Sequence, residues 1–183
     1  MAHQQQFDFV NNIKSHYPEF FNNKKVLEVG SLNINGSVRD AFKDCDYTGI
    51  DVGQGNGVDI VVGGHEHDVP DNTYDVVISC ECFEHNKEWI KTFRNMHRMC
   101  KERGMVIMTC ATNGRPEHGT TRVNAHDSPL TVANGWEYYK NLNQYDFYRE
   151  FNMDDMFHGF YFDTAHRYNF LNDLYFFGMV WKP

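Results

Sequence analysis

The stretch VLEVGSLNINGSVRD, residues 26–40, decides how the rest of the chain reads. An apolar run broken only by the acid Glu28 reaches Gly30, a loop of small and amide side chains follows, and a short helical pattern begins at Ser37. Strand, glycine-bearing loop and helix N-terminus in that order are how an open α/β sheet holds a nucleotide-like cofactor at the carboxyl end of its first strand. The strand is expected over Lys25–Gly30, buried on both faces, and the helix over Ser37–Lys43.

Upstream, Phe7, Val10, Ile13 and Tyr17 recur at helical spacing until Pro18, so residues 4–17 are expected to form an amphipathic helix against the sheet or over a site. Downstream, YTGIDV (47–52) reads as a second strand ending near Asp51, GQGNG as a glycine-dependent turn, and VDIVV (58–62) as a third strand. A fourth, DVVISC (75–80), begins so soon afterwards that the usual crossover helix must be very short or replaced by a loop. Asn86 can cap a helix that places Trp89, Phe93, Met96 and Cys100 on one face, with Gly104 just past its end. MVIMTCA (105–111) is a fifth strand, after which periodicity dissolves from Thr112 to about Asn143; unstructured connections that long usually have a function. Asn152–His158 reads as a last helix. Tyr161–Tyr168 and Asp173–Trp181 read as two aromatic strands joined by the polar turn Asn169–Asn172, an antiparallel hairpin. Strands alternating with helices imply an α/β fold with a mostly parallel sheet.

Composition narrows the function classes. With 183 residues and 41% apolar content, the chain suits one domain, residues 1–183, with a full core. Acids outnumber Lys and Arg by 25 to 17, and the net charge of -8 opposes tracking along a phosphate backbone. MAHQQQFDFV lacks the pattern of a secretory leader and no run is long enough to span a bilayer, so a cytoplasmic location without membrane contact is expected. The 5 cysteines form no CxxC pair and read as reduced, packing thiols.

VLEVGS (26–31), YTGIDV (47–52), GVDIVV (57–62), YDVVISCECFEH (74–85) and GMVIMT (104–109) together resemble the class I S-adenosylmethionine-dependent methyltransferases, in particular the small enzymes typified by the type 11 methyltransferase domain. The resemblance covers residues 24–111 by motif and the remainder by topology. It implies a Rossmann-like three-layer sandwich, with a seven-stranded sheet in the order 3-2-1-4-5-7-6 and an antiparallel last strand. It also implies S-adenosylmethionine as cofactor. The cofactor set is then Glu28, Gly30, Ser31, Asn35, Gly36, Asp51, Val52, Gly64, His65, Ser79, Cys80 and Glu81. Gly30 permits the tight turn, Ser31, Asn35 and Gly36 supply small polar groups for the methionine end, and Asp51 stands where an acid accepts ribose hydroxyls. The resemblance puts the Ser79 and Cys80 backbone beside the amino-acid head, with Cys80 a wall and not a nucleophile.

Two departures stand out. Leu32 sits where a second glycine is common, and Gly63, Gly64 and His65 occupy the place of an acid or amide facing adenine, leaving His65 as either an adenine stacker or an exposed loop residue. Glu84 and His85, just past the fourth strand, are the catalytic candidates: His85 as a base, with a pKa near working pH, or both as fixers of the loop through capping and hydrogen bonds. The 112–143 segment is expected to form the acceptor pocket or its lid. Arg115 and His118 offer charge and hydrogen bonds, and Tyr138 a flat surface, although Tyr138 and Tyr139 equally suit a small core beneath the loop.

The expected function is transfer of a methyl group to the oxygen or nitrogen of a small molecule, such as a sugar or aromatic compound. A non-catalytic cofactor-binding module, or a subunit that needs a partner, is the alternative. A dehydrogenase lacks its GxGxxG, and a DNA amino-methyltransferase lacks its prolines after the fourth strand, where this chain has SCEC. Of the 10 histidines, His65 and His67 lie near Glu66 and Asp68, and His118 and His126 lie in the long loop, but no HxxxH or Cys/His pattern appears. No functional metal is expected from the sequence.

Overall fold

A computed structural model describes residues 4–164 and 172–182. In chain order they form α1 (Gln4–His16), β1 (Lys25–Val29), β2 (Asp46–Asp51), β3 (Ile60–Val61), β4 (Tyr74–Cys80), α2 (Trp89–Met99), β5 (Cys100–Ala111), α3 (Pro129–Ala133), α4 (Gln144–Glu150), α5 (Met153–Met156), β6 (Phe157–Asp163) and β7 (Asp173–Val180). The sheet runs β3-β2-β1-β4-β5-β7-β6, with β7 antiparallel to both its neighbours and the other pairings parallel.

Side-chain alternation along the central strands builds two cores. Val26, Val76, Ile78, Met105 and Ile107 face one side, where Phe9, Val10 and Ile13 of α1 cover them. Leu27, Val77, Val106 and Met108 face the other, against Trp89, Phe93 and Met96 of α2 and Phe147 of α4. Apolar burial on both faces, the expectation for parallel strands, gives three layers: helix, sheet, helix.

No helix separates β3 from β4 among the described residues; α2 side chains hold the connecting loop. Asn95 Nδ2 donates to the carbonyls of Gly64 (2.8 Å) and His67 (3.0 Å), and Arg98 Nη1 donates to Val69 O (2.6 Å) and to Asp71 Oδ1 (2.7 Å). Backbone groups that a crossover helix would satisfy internally are thus paired from outside.

Several expected boundaries move. The helix expected at 37–43 is a single 3-10 turn, Val38–Ala41, capped by Ser37 Oγ, which accepts from the Arg39 amide. β3 keeps only two exposed residues. Glu88, not Asn86, is the N-cap residue of α2, while Asn86 lies just ahead of it and braces the entry through Thr92 Oγ1 and the Glu88 amide. α2 stops at Met99, and β5 starts at once with a bulge: its register against β4 slips between the Tyr74–Cys100 and Val76–Met105 pairs. Gly104 serves that bulge and not the helix end, for a Cβ there would lie 2.7 Å from Asp75 O and from Cys100 Sγ. At the C-terminal end, the helix expected at 152–158 is the one turn of α5, and β6 begins at Phe157. A helix not expected, α4, starts at a reciprocal capping box: Asn143 accepts from the Tyr145 amide, and Asp146 accepts from the Asn143 amide. The hairpin of β6 and β7 stands, while the part of its expected first strand at 165–168 and the turn at 169–171 lie outside the described residues.

Candidate active site

The chain reverses its order across the sheet between β1 and β4, so the loops leaving those strands diverge and open a cleft at their carboxyl ends. It holds about 900 Å³ of empty space, its open mouth included.

The floor is the loop after β1. Gly30 adopts φ +79°, and its amide and that of Ser31 both donate to Ile50 O, at 2.9 and 3.1 Å. A Cβ at Gly30 would lie 2.6 Å from Cβ and Sγ of Cys82, so this turn takes no side chain. Ser31 is buried, and its hydroxyl has no partner among the described residues. Glu28 sits beneath, where burial raises its pKa to about 7 and a 3.0 Å hydrogen bond from Tyr47 Oη partly opposes that. Leu32, in the place of the common glycine, borders the cleft and donates its amide to Asp51 Oδ2 at 3.0 Å. With the Val52 amide on Oδ1 at 2.7 Å, the Asp51 carboxylate is fixed at the end of β2 with lone pairs still open.

The facing wall follows β4. Ser79 Oγ donates to Val29 O at 2.8 Å, tying β4 to β1; Cys80 borders the cleft, its thiol pKa pushed up by burial. Glu81 takes φ +52°, a left-handed conformation for a non-glycine residue, and accepts from Thr109 Oγ1 at 2.8 Å. A single turn, Phe83–His85, then brings His85 to the cleft and leaves Glu84 behind it, 0% exposed.

The roof comes from the long loop. Asp127, Ser128, Pro129, Leu130 and Thr131 border the cleft, Leu130 packs over Gly53, and Asn134 Nδ2 donates to Val52 O at 3.0 Å. Trp136 borders it opposite His65, ring centroids 6.2 Å apart, and Lys87 Nζ lies 5.0 Å from the Trp136 centroid.

Of the residues singled out by sequence, Glu28, Gly30, Ser31, Gly36, Asp51, Val52, Gly64, His65, Cys80, Glu81 and His85 border this cleft. Asn35 is exposed, Ser79 is a strand clamp, and Glu84 lies behind the wall. Arg115 pairs at 2.9 Å with fully buried Asp173, Tyr138 packs on the core beside α2, and His118 is buried against His85 with ring centroids 5.0 Å apart. These three lie outside the cleft lining because the long loop turns its middle, 127–136, toward the cleft, and uses its ends as anchors. Burial and the neighbouring His118 lower the His85 pKa to about 3, so its ring is neutral near pH 7. Gln6, Ile34 and Val38 also border the cleft without having been singled out, while 127–131 is the part of the long loop, expected as pocket or lid, that reaches it; the amphipathic pattern of α1, expected against the sheet or over a site, pointed toward Gln6.

No curated protein sequence matches the chain. Solved structures of methyltransferases share its fold. One is 1,6-didemethyltoxoflavin-N1-methyltransferase of Burkholderia thailandensis with bound 1,6-didemethyltoxoflavin and S-adenosylhomocysteine: 10% identity, TM-score 0.65, over 96% of this chain and 78% of that one. Phosphoethanolamine N-methyltransferase 2 of Haemonchus contortus, in complex with S-adenosyl-L-methionine, has 16% identity and TM-score 0.58 over 86% of this chain and 38% of its own. The CMeT domain of the citrinin polyketide synthase has 13% identity and TM-score 0.59 over 88% and 47%. No helix among the described residues is long and apolar enough to cross a membrane. A profile of the family described as methyltransferase domain matches residues 1–166, so the chain belongs to that family and is an S-adenosylmethionine-dependent methyltransferase.

Proposed function

We propose that this chain, working as a single domain over residues 1–183, transfers the methyl group of S-adenosylmethionine to a small-molecule acceptor carrying an oxygen or nitrogen nucleophile. The observation that carries the reading is the cleft at the strand reversal, where a fixed acid, a side-chain-free turn and an unpartnered buried hydroxyl converge. Asp51 accepts from the ribose hydroxyls, the Gly30–Gly36 loop with Ser31 holds the methionine end, and Gly64, His65 and Trp136 flank the adenine. Bound there, the cofactor supplies an already activated methyl on its sulfonium, so the protein's task is alignment. Leu130 and Trp136 exclude water from above, and His85 meets the acceptor at the facing wall. Arg115 and Tyr138 support the loop that carries the roof.

A small acceptor suits the closed roof and the acidic surface, and two of the enzymes that share the fold are named for small substrates. Calorimetry with S-adenosylmethionine, S-adenosylhomocysteine and NAD, followed by a screen for S-adenosylhomocysteine release over sugars, phenols, heterocycles and amines, tests the proposal. Both sulfur ligands should bind one per chain, NAD should not, and at least one acceptor class should turn over. Preference for NAD would overturn the cofactor reading; tight binding with no turnover across the screen would make the chain a cofactor-binding module.

A further inference from the structure

Behind the cleft wall, three buried side chains meet whose ligating atoms have no hydrogen-bond partner among the described residues. Glu84, His85 and His118 each present an oxygen or nitrogen within 4.8 Å of the others. Neither oxygen of the Glu84 carboxylate has a hydrogen-bond partner among the described residues, nor does either ring nitrogen of His85, nor His118 Nε2. Buried polar atoms are almost always paired, so five unpaired ones at a single point are unusual.

The tautomer of His118 is set by its other nitrogen. Nδ1 lies 3.0 Å from Pro116 O, and because a carbonyl only accepts, Nδ1 carries the proton and Nε2 keeps its lone pair. That nitrogen is 3.9 Å from Glu84 Oε1, and His85 Nε2 is 4.0 Å from the same oxygen. Ligands on a tetrahedral ion with ~2.1 Å bonds stand roughly 3.4 Å apart, so small side-chain rotations close the set. A histidine whose second nitrogen donates to a backbone carbonyl is the usual outer support of a metal ligand. The ring of Tyr139, 5.0 Å from His118 and 5.6 Å from His85 by centroids, screens the cluster.

We propose that Glu84, His85 and His118 bind a divalent first-row transition ion, of the Mn(II), Fe(II), Co(II) or Zn(II) class, in the wall of the cleft. Two imidazoles and a carboxylate suit such ions, whereas Mg(II) and Ca(II) favour oxygen-only sets. Glu84 and His85 are adjacent and His118 lies far along the chain, a spacing that matches no metal motif, which is why the sequence points the other way. His85 is the member that borders the cleft, so the ion stands where an acceptor oxygen can become a further ligand and lose its proton more readily. That last role alone rests on the methyl-transfer reading; ion binding does not.

The test uses the full chain, stripped with a chelator and titrated with Co(II) at pH 7.5 without cofactor or acceptor. One ion per chain should bind with an apparent Kd at or below about 10 µM. It should give visible ligand-field absorption and be displaced by Zn(II). The melting temperature should rise by about 5 °C or more at a hundredfold excess of ion over Kd. Glu84→Gln and His118→Ala should each weaken binding at least about thirtyfold, while His158→Ala, on the exposed side of β6, should not. If those variants fail to fold, hyperfine-shifted N–H resonances in the Co(II) form of the unaltered protein decide, and two coordinated histidines are expected. Binding weaker than about 100 µM, equal affinity in folded His118→Ala, or fewer than two coordinated histidines overturns the proposal. Calorimetry with S-adenosylmethionine alone tells a failure here from a failure of the methyl-transfer reading.

Discussion

Two acids near the carboxyl edge of the sheet sit in opposite surroundings. Asp51 is held by the amides of Leu32 and Val52 and keeps its remaining lone pairs toward the cleft. Glu84 is fully buried behind the facing wall, where no hydrogen bond reaches either oxygen among the described residues, and burial with the nearby charge of Glu81 raises its pKa. The first acid is oriented by backbone amides beside the cleft. The second has only side chains beside it, His85 and His118 among them. Orientation by amides comes with the strand end itself, while orientation by histidines needs the long loop to fold back over β4.

Asp173, a third acid, shows what a buried charge looks like when the fold supplies its partner, since it is 0% exposed and paired with Arg115. Arg115→Ala should lower stability by about 3–5 kcal/mol, read in urea melts, because the carboxylate is left buried. A variant of unchanged stability that lost activity would instead return Arg115 to acceptor binding.

Glu28 sharpens the contrast through pH. Its folded pKa of about 7 lies above the ordinary 4.5, so its contribution to stability is fully present below 4.5 and is lost as pH rises through 7. Glu28→Gln should therefore gain up to roughly 3 kcal/mol over the unaltered protein at pH 8, at about 1.4 kcal/mol per pH unit, and nothing at pH 4. Urea melts at the two pH values measure the difference, and a gap that failed to open with pH would refute the burial of that charge.

The ribose contact proposed for Asp51 is smaller in energy but more specific. Asp51→Ala should weaken S-adenosylmethionine roughly thirtyfold by calorimetry, about 2 kcal/mol, the worth of hydrogen bonds to a charged group. Binding within threefold of the unaltered chain would remove Asp51 from the site. Leu130→Ala should have the least effect, weakening the cofactor about fivefold, or roughly 1 kcal/mol, by thinning the roof over Gly53. An acceptor-only lid, the expectation from sequence, would leave cofactor affinity untouched.

These differences trace how far each region could be read from the chain. β1, β2 and β4 carry their own signals, an apolar run followed by an acid or a glycine, and the loops that border the cleft are continuous with them. Adjacency in sequence was adjacency in the site. The Leu130 roof and the pairing of His85 with His118 depend on where a loop of some thirty residues lands, which is set by distant contacts such as Tyr139 Oη on Pro116 O and Asn141 Nδ2 on Arg115 O. α4 was legible in principle, because Asn143 and Asp146 stand at capping-box spacing. The early start of β6 reflects pairing with β7, which recruits Phe157 and Gly159 into the ladder although His158 and Gly159 are poor strand signals.

The side chains of Asn95 and Arg98 have a consequence for how this architecture can be shortened. They lend donors from α2 to the loop that carries Gly64 and His65, so that side of the cleft hangs from a helix that belongs to the next crossover. A connection that borrows its hydrogen bonds can omit a helix of its own without leaving its carbonyls bare. The dependence passes to the lender: Asn95 and Arg98, which do not border the cleft, become part of what fixes its width.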